Sequence, residues 1–409
     1  MNLVIDDKIP YIREAAALLG DAVYLPGAQI SADDVRTADA LIVRTRTRID
    51  HTLLEGSRVQ FVATATIGFD HIDNRYAREA GIHWTNCPGC NAGSVAQYVA
   101  SALLLLEEDG VLPRRSDCCV GIVGVGHVGS RVSQLLRHMG FRVKHCDPLR
   151  AAGQDPAGTL DSWLYSPTEY VSLEEIARTA DVVTLHTPLT REGRHATYHL
   201  ADAAFFNSLA RRPVLINSSR GEVVDTLALL RAMDSGKVGP VVMDTWENEP
   251  HPNVELLARA YLATPHIAGY SADGKVCGTR MALAAVARHF GVADIPRILA
   301  AIPALPPPEI YYPEGGRDLR SPLGWYDPRR DTLALRSHQG DNGRLQEDRR
   351  CEGTEGISKL QVLKFQFESC YGKCKGKTEG TPSWRDNDHG KKRCENKKIY
   401  GHGHSGEEE

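Results

Sequence analysis

The stretch Gly121-Ile-Val-Gly124-Val-Gly126-His-Val-Gly129 constrains the fold more than any other part of the chain. It continues an apolar run, Cys118–Val125, and opens a helix with Val128, Val132, Leu135 and Leu136 on one side. Between a strand and a helix, the glycines at 124, 126 and 129 each have a physical task. They allow a tight turn, close approach of the backbone to a pyrophosphate, and close packing of helix on strand. The start of the helix offers unpaired N–H groups and partial positive charge to phosphates. The next strand ends at Asp147, 18 residues after Gly129. A carboxylate there accepts hydrogen bonds from an adenosine ribose and repels a 2′-phosphate, which favours NAD over NADP. The bland alternative is a glycine-rich turn of an unrelated α/β protein, and the placing of strand, helix and acid together argues against it.

Around this motif short apolar runs alternate with helical stretches. Strands are predicted at Asn2–Asp6, Ala40–Val43, Phe61–Thr64 and Ile82–Thr85, then a long helix from about Ser94 to Leu106. After the glycine motif, strands are predicted at Arg142–Cys146, Val182–His186, Val214–Asn217 and Val241–Asp244. Ser172-Leu-Glu-Glu175 is a capping-box signature opening the helix before Val182. Two consecutive α/β repeats therefore fill roughly residues 1–290, and each implies a doubly wound parallel sheet covered by helices. Pro303–Pro308, with four prolines in six positions, reads as an extended linker or turn. From about Ser337 the apolar periodicity fades into Gly, Lys, Glu, Asp and Arg, so 338–409 is expected to be an atypical, disordered tail.

Composition excludes several classes. Of 409 residues 42% are hydrophobic and 24% charged, ordinary for a soluble globular protein. The formal net charge of −4 implies no nucleic-acid partner. No apolar run, Ala102 to Leu106 among them, approaches the roughly 20 residues of a membrane span. The acidic start lacks a signal-peptide layout, and a cytoplasmic location is the expectation. Cys87-Pro-Gly-Cys90 has the spacing of redox or zinc sites, but no matching second pair is evident. A turn at Pro88-Gly89 is the simpler reading, and no metal is expected.

Three polar residues stand just beyond apolar strands: Arg220, Glu249 and His266. Ligands of open α/β sheets bind beyond the carboxyl ends of strands, so all three can converge on one crevice. Oxidising an alcohol needs a base for the hydroxyl proton, and histidine suits that near neutral pH. A carboxylate beside it raises its pKa and fixes its tautomer. An arginine offers a planar fork to a substrate carboxylate and polarises the forming carbonyl. Singly, each reads more simply as a structural histidine or a surface ion pair. Their order after a dinucleotide fingerprint reverses that.

GIVGVGHVG, CDP at 146–148, HTPL at 186–189, INSSRGEVVD at 216–225, DTWENEP at 244–250 and PHIAGYS at 265–271 resemble the D-isomer-specific 2-hydroxyacid dehydrogenases. Four features narrow the resemblance to the branch that oxidises 4-phospho-D-erythronate on the route to pyridoxal phosphate. They are Asp7-Lys-Ile-Pro-Tyr11, Ala65-Thr-Ile-Gly-Phe-Asp70, Pro88-Gly-Cys-Asn-Ala92 and His266-Ile-Ala-Gly-Tyr270. The resemblance covers residues 1 to about 335. It implies an NAD-binding Rossmann domain, 99–266, inserted in a flavodoxin-like substrate domain made of 1–98 and the return segment 267–290. A partial C-terminal dimerisation domain, 291–337, and a homodimer are also implied. Arg220 and Glu249 are implied as catalytic partners of the proton donor/acceptor His266. For NAD the resemblance implies Gly124, Gly126, His127, Val128, Gly129, Asp147, Thr187, Asp244 and Gly269. For a small phosphorylated hydroxyacid it implies Thr45, Thr66 and Tyr270, with Arg44 and Arg46 adding positive charge. Other readings within reach are a dehydrogenase of 3-phosphoglycerate or another D-2-hydroxyacid, and a non-catalytic NAD-sensing protein.

Overall fold

A computed structural model describes residues 1–154, 169–302 and 328–337. They build two parallel sheets. The first has strands β1 (Asn2–Asp6), β2 (Asp21–Leu25), β3 (Ala40–Val43), β4 (Phe61–Thr64) and β5 (His83–Thr85), in the order β2-β1-β3-β4-β5. The second has β6 (Cys119–Val123), β7 (Arg142–Cys146), β8 (Val182–Leu185), β9 (Val214–Asn217), β10 (Val241–Met243) and β11 (Leu262–Ala263), in the order β11-β10-β9-β8-β6-β7. Every pairing is parallel.

β3, β4, β6, β8, β9 and β10 are buried along their whole lengths. That is why they read as continuous apolar runs: helices cover both faces of a parallel sheet. Short polar residues open the helices between them. Asp50, Asp73, Ser172, Asp202, Asp225 and Asn253 each accept a backbone N–H of the first turn.

Two long helices decide how the sheets meet. Ala92–Glu108 is buried along most of its length and packs with the second sheet, burying Tyr98, Val99, Leu103, Leu105 and Leu106 beside Val120, Ile122 and Val242. Each such apolar side chain contributes about 1.5–3 kcal/mol. Ala272–His289 packs instead on the first sheet, with Val276, Leu283 and Val286 among Leu3, Ile5 and Ile42. The chain thus goes back to its first sheet after His266.

Each sheet reverses its winding once, at β1/β3 and at β6/β8, and such a reversal opens a crevice at the carboxyl ends. Elements that the sequence reading did not name include β2, β11 and the helix Pro328–Ser337. That last helix, in the stretch expected to begin the dimerisation region, packs on β11. Leu335 enters the apolar cluster of Leu215, Val241 and Trp246, and Thr332 Oγ1 accepts from Ala263 N at 3.0 Å. The proline-rich segment 303–308 and the tail 338–409 lie outside the described residues.

Candidate active site

The glycine loop after β6 follows a steric logic. Gly124 has φ +84°, and a Cβ there would lie 2.7 Å from the His186 carbonyl oxygen, at the end of the adjacent β8. A Cβ on Gly129 would lie 2.0 Å from the Gly124 oxygen. At Gly126 it would meet nothing within 4 Å. The chain's own packing therefore demands the first and third glycines, while the second faces open space. Asp147 braces the loop: its Oδ2 accepts Val125 N at 2.9 Å and its Oδ1 accepts Arg150 N at 3.1 Å. The Arg150 guanidinium donates to the Val125 carbonyl. Val128 packs partly buried against the cluster of Val120, Ile122 and Val132, and His127 meets the space beside Gly89, whose Cβ would lie 2.7 Å from His127 Nδ1.

Buried polar atoms without a partner stand just beyond the strands of the same sheet, at Thr187 Oγ1 after β8, Ser218 Oγ after β9 and Thr245 Oγ1 after β10, and at Asn91 Oδ1 before the helix Ala92–Glu108. Each such group costs about 1–3 kcal/mol unless a ligand or water satisfies it. Open space above Gly126, a helix N-terminus and orphaned hydroxyls beyond β8 and β9 together fit a dinucleotide.

His266 and Glu249 meet beyond β10 and β11. His266 Nδ1 lies 2.9 Å from Glu249 Oε2. Glu249 Oε1 accepts Trp246 N at 2.8 Å, and the Trp246 indole donates to Thr264 O at 2.9 Å. Beneath them Asp244 is fully buried. Its Oδ1 accepts Thr264 Oγ1 at 2.6 Å and Ile267 N at 2.8 Å, and its Oδ2 accepts Ala268 N at 2.9 Å. Three acceptor contacts thus hold the turn that aims His266. The His266 backbone itself sits at φ 54°, in the left-handed region that non-glycine residues seldom adopt.

The electrostatics follow from this geometry. Burial pulls the His266 imidazolium towards neutrality, but the charge and hydrogen bond of Glu249 outweigh it, and the pKa is raised. Burial pushes Glu249 up, and His266 more than offsets that, so its pKa is lowered. Burial raises the Asp244 pKa, with His266 and the Thr264 bond opposing. Arg220 is near enough for its charge to lower both Glu249 and His266. About 38% of the His266 side chain remains open, so the imidazole faces the crevice with Nδ1 tied behind it.

Arg220 reaches across to the first sheet. Its Nε donates to Asp70 Oδ2 at 3.1 Å and its Nη1 to Ser219 O at 2.7 Å. Gly68 makes room: a Cβ there would lie 2.5 Å from Arg220 Nη2. Because only a flexible guanidinium stands in the way, Gly68→Ala is expected to keep the fold and push the arginine aside. Losing one hydrogen bond to a charged group is worth about 1.5–3 kcal/mol, so kcat/KM should fall roughly 10–100-fold. The unfolding midpoint should stay at the wild-type value, and steady-state kinetics beside a denaturant titration reads both.

The remaining sequence-predicted residues lie as follows. Thr66 Oγ1 is 2.7 Å from Thr64 Oγ1 and donates to Gly68 O at 3.1 Å, on the loop that meets Arg220. Thr45 is exposed in the turn after β3. Tyr270 carries Lys275 Nζ 3.3 Å above its ring centroid. Gly269 O accepts Asn91 Nδ2 at 3.0 Å. Arg44 departs from expectation. Its guanidinium makes two 3.0 Å bonds to the fully buried Asp6. Its charge serves to neutralise that carboxylate, so Arg44 is not a spare cation for a substrate.

With this geometry in view, comparison places the chain. Residues 107–268 match the model described as D-isomer specific 2-hydroxyacid dehydrogenase, NAD binding domain. The erythronate-4-phosphate dehydrogenase of Bacteroides fragilis is 46% identical over 365 residues, covering 89% of this chain and 100% of that protein. That of Cronobacter sakazakii is 41% identical over 361 residues, covering 86% and 90%. The chain belongs to the erythronate-4-phosphate dehydrogenase family. Coverage of 89% of this chain cannot end before Ser337, so likeness to this family runs further than the motifs alone reach. Among solved structures, a D-lactate dehydrogenase from Aquifex aeolicus, complexed with NAD and lactic acid, superposes with a TM-score of 0.56 at 25% identity, covering 73% of this chain and 98% of that one. Sequence reasoning passed over Asn91, Ser218 and Thr245, whose side chains carry buried polar atoms without a partner. The available signal for Ser218 was a polar cluster, Asn217-Ser218-Ser219, standing where an apolar strand ends.

Proposed function

We infer that this chain oxidises 4-phospho-D-erythronate to (R)-3-hydroxy-2-oxo-4-phosphobutanoate with NAD, in pyridoxal 5′-phosphate biosynthesis. The observation that carries the reading is the Glu249–His266 pair beside Arg220, in a chain 40–46% identical to named erythronate-4-phosphate dehydrogenases. When bound, NAD supplies the hydride acceptor. His266 takes the C2 hydroxyl proton on Nε2, since Glu249 holds the Nδ1 edge and favours the imidazolium that forms. Arg220 pairs with the substrate carboxylate and polarises the C2 oxygen as the carbonyl forms. Trp246 and Asp244 keep the pair aligned.

Gly124, Gly126, His127, Val128 and Gly129 are assigned to the pyrophosphate side of NAD, and Asp147 to the adenosine ribose. Thr187, Asp244 and Gly269 are assigned near the nicotinamide half, Asp244 through the turn it holds. Thr45, Thr66 and Tyr270 are assigned to the substrate. Division into a substrate domain of 1–98 and 267–290 around an NAD domain of 99–266 belongs to the same reading, as do a homodimer and a cytoplasmic location. No helix among the described residues is long and apolar enough to cross a membrane.

The test is NADH formation at 340 nm with 4-phosphoerythronate against 3-phosphoglycerate, with a 2-oxo acid present to recycle cofactor. Preferential turnover of 4-phosphoerythronate is expected. Equal or better use of 3-phosphoglycerate would move the assignment to another 2-hydroxyacid.

A further inference from the structure

Outside the residues assigned above, His199 stands between two carboxylates, with Asp225 Oδ2 3.9 Å from its Nδ1 and Glu247 on its other edge. His199 Nε2 is 2.6 Å from Glu247 Oε1, and Glu247 is two residues before Glu249. The other Glu247 oxygen accepts Thr226 N at 2.9 Å, at the start of the helix Thr226–Asp234. The His199 backbone N donates to Glu222 O at 2.8 Å, and Ala201 N donates to Val223 O at 3.0 Å. His199 is therefore tied by its backbone to the segment that follows Arg220, and by its ring to the loop that carries Glu249.

These two pieces of chain touch directly. A Cβ on Gly221 would lie 1.9 Å from the Trp246 carbonyl carbon and 2.3 Å from Glu247 N. Trp246 in turn donates its backbone N–H to Glu249. The Tyr198 ring stacks on His199, with centroids 4.0 Å apart, and Arg191 lies 4.3 Å over Tyr198. The His199 backbone stands at φ 51°, a left-handed conformation costly for a residue with a side chain. That cost persists only where the surroundings hold it in place.

We propose that His199 is a positioning residue: through Glu247 it clamps the Glu249 loop against the Arg220 segment and so sets the register between Glu249 and His266. The proposal rests on Arg220, Glu249 and His266 being the catalytic set. Without the clamp, Glu247 loses one of the two bonds that hold its loop from outside, and the 2.9 Å contact of Glu249 to His266 loosens. The charged groups acting on His266 include Glu249, Asp244 and Arg220, and Glu249 is held in turn by the Trp246 N–H, next to the clamped Glu247.

The experiment compares His199→Phe, which keeps the ring stacked on Tyr198, with His199→Gln, whose amide still donates to Glu247. Imidazole ¹⁵N spectra of the full chain titrate His266, assigned with His266→Gln, while kcat is measured in parallel. In His199→Phe, His266 should titrate at lower pH and kcat should fall about tenfold, the scale of a modest misalignment of reacting groups. In His199→Gln both should return to wild type. If His199→Phe does not fold, Glu247→Leu breaks the same bond from the other side. An unchanged His266 titration in a folded clamp variant overturns the proposal, whether kcat falls or not. If the wild-type chain fails to oxidise 4-phosphoerythronate, the titration still reads the clamp, so the two ideas fail separately.

Discussion

Replacing His266 with glutamine is expected to lower kcat by about 10²–10⁴, the usual worth of a positioned general base. Glutamine fills similar space and can still bond Glu249, so the loops around it should hold. Binding of NADH, read by fluorescence titration, should stay near wild type, because none of the glycine-loop contacts involves this ring. The pH profile carries a second part of the argument. Oxidation needs neutral His266, and Glu249 raises its pKa. Activity is therefore lost as pH falls through that raised value. Glu249→Gln removes the charge, and with its oxygen kept on His266 its amide N–H groups face Trp246 N–H, donor against donor, so the acid limb of kcat/KM should move to lower pH while peak kcat falls. A His266→Gln enzyme with wild-type kcat would remove the proposed base.

The sequence showed most of this arrangement where the physics is local. Fully buried parallel strands such as β3 and β8 read as unbroken apolar runs because both faces are covered. β2 did not, since it is an edge strand with Val23 56% exposed and carries no continuous run. β11 is two residues long, too short for any period. The helix Pro328–Ser337 carries four charged residues in ten and gains its place through Leu335 and through Thr332, whose partner Ala263 is 69 residues away along the chain.

The site divides in the same way. The glycine loop was legible because turn, phosphate approach and helix packing are set within nine residues. Arg44 was misread because its partner, Asp6, is 38 residues away, and no spacing announces a buried ion pair between neighbouring strands. His199 carried no signal at all, since its meaning depends on Glu247, 48 residues later.

Asp244 separates a cofactor contact from a structural one, and the second large effect is expected there. Sequence resemblance put this residue at NAD, yet both its oxygens are already engaged by the chain. In Asp244→Ala the Thr264 hydroxyl keeps its bond with Tyr98, 2.6 Å away, although one O–H of the pair loses its acceptor. The backbone N–H groups of Ile267 and Ala268 have no such recourse. Each buried donor left unsatisfied costs about 1–3 kcal/mol, so a loss of roughly 2–6 kcal/mol is expected from the two. Asp244→Asn is no gentler in kind. With its oxygen towards Thr264 and Ile267, its amide N–H groups face Ala268 N–H, donor against donor, and the flipped orientation sets them against two donors instead of one. Both variants should unfold at lower denaturant concentration, and kcat should fall because the turn under His266 is no longer held. A mere cofactor contact predicts the opposite pairing, a weakened NADH affinity at an unchanged unfolding midpoint. Denaturant titration and NADH titration of the two variants decide between them.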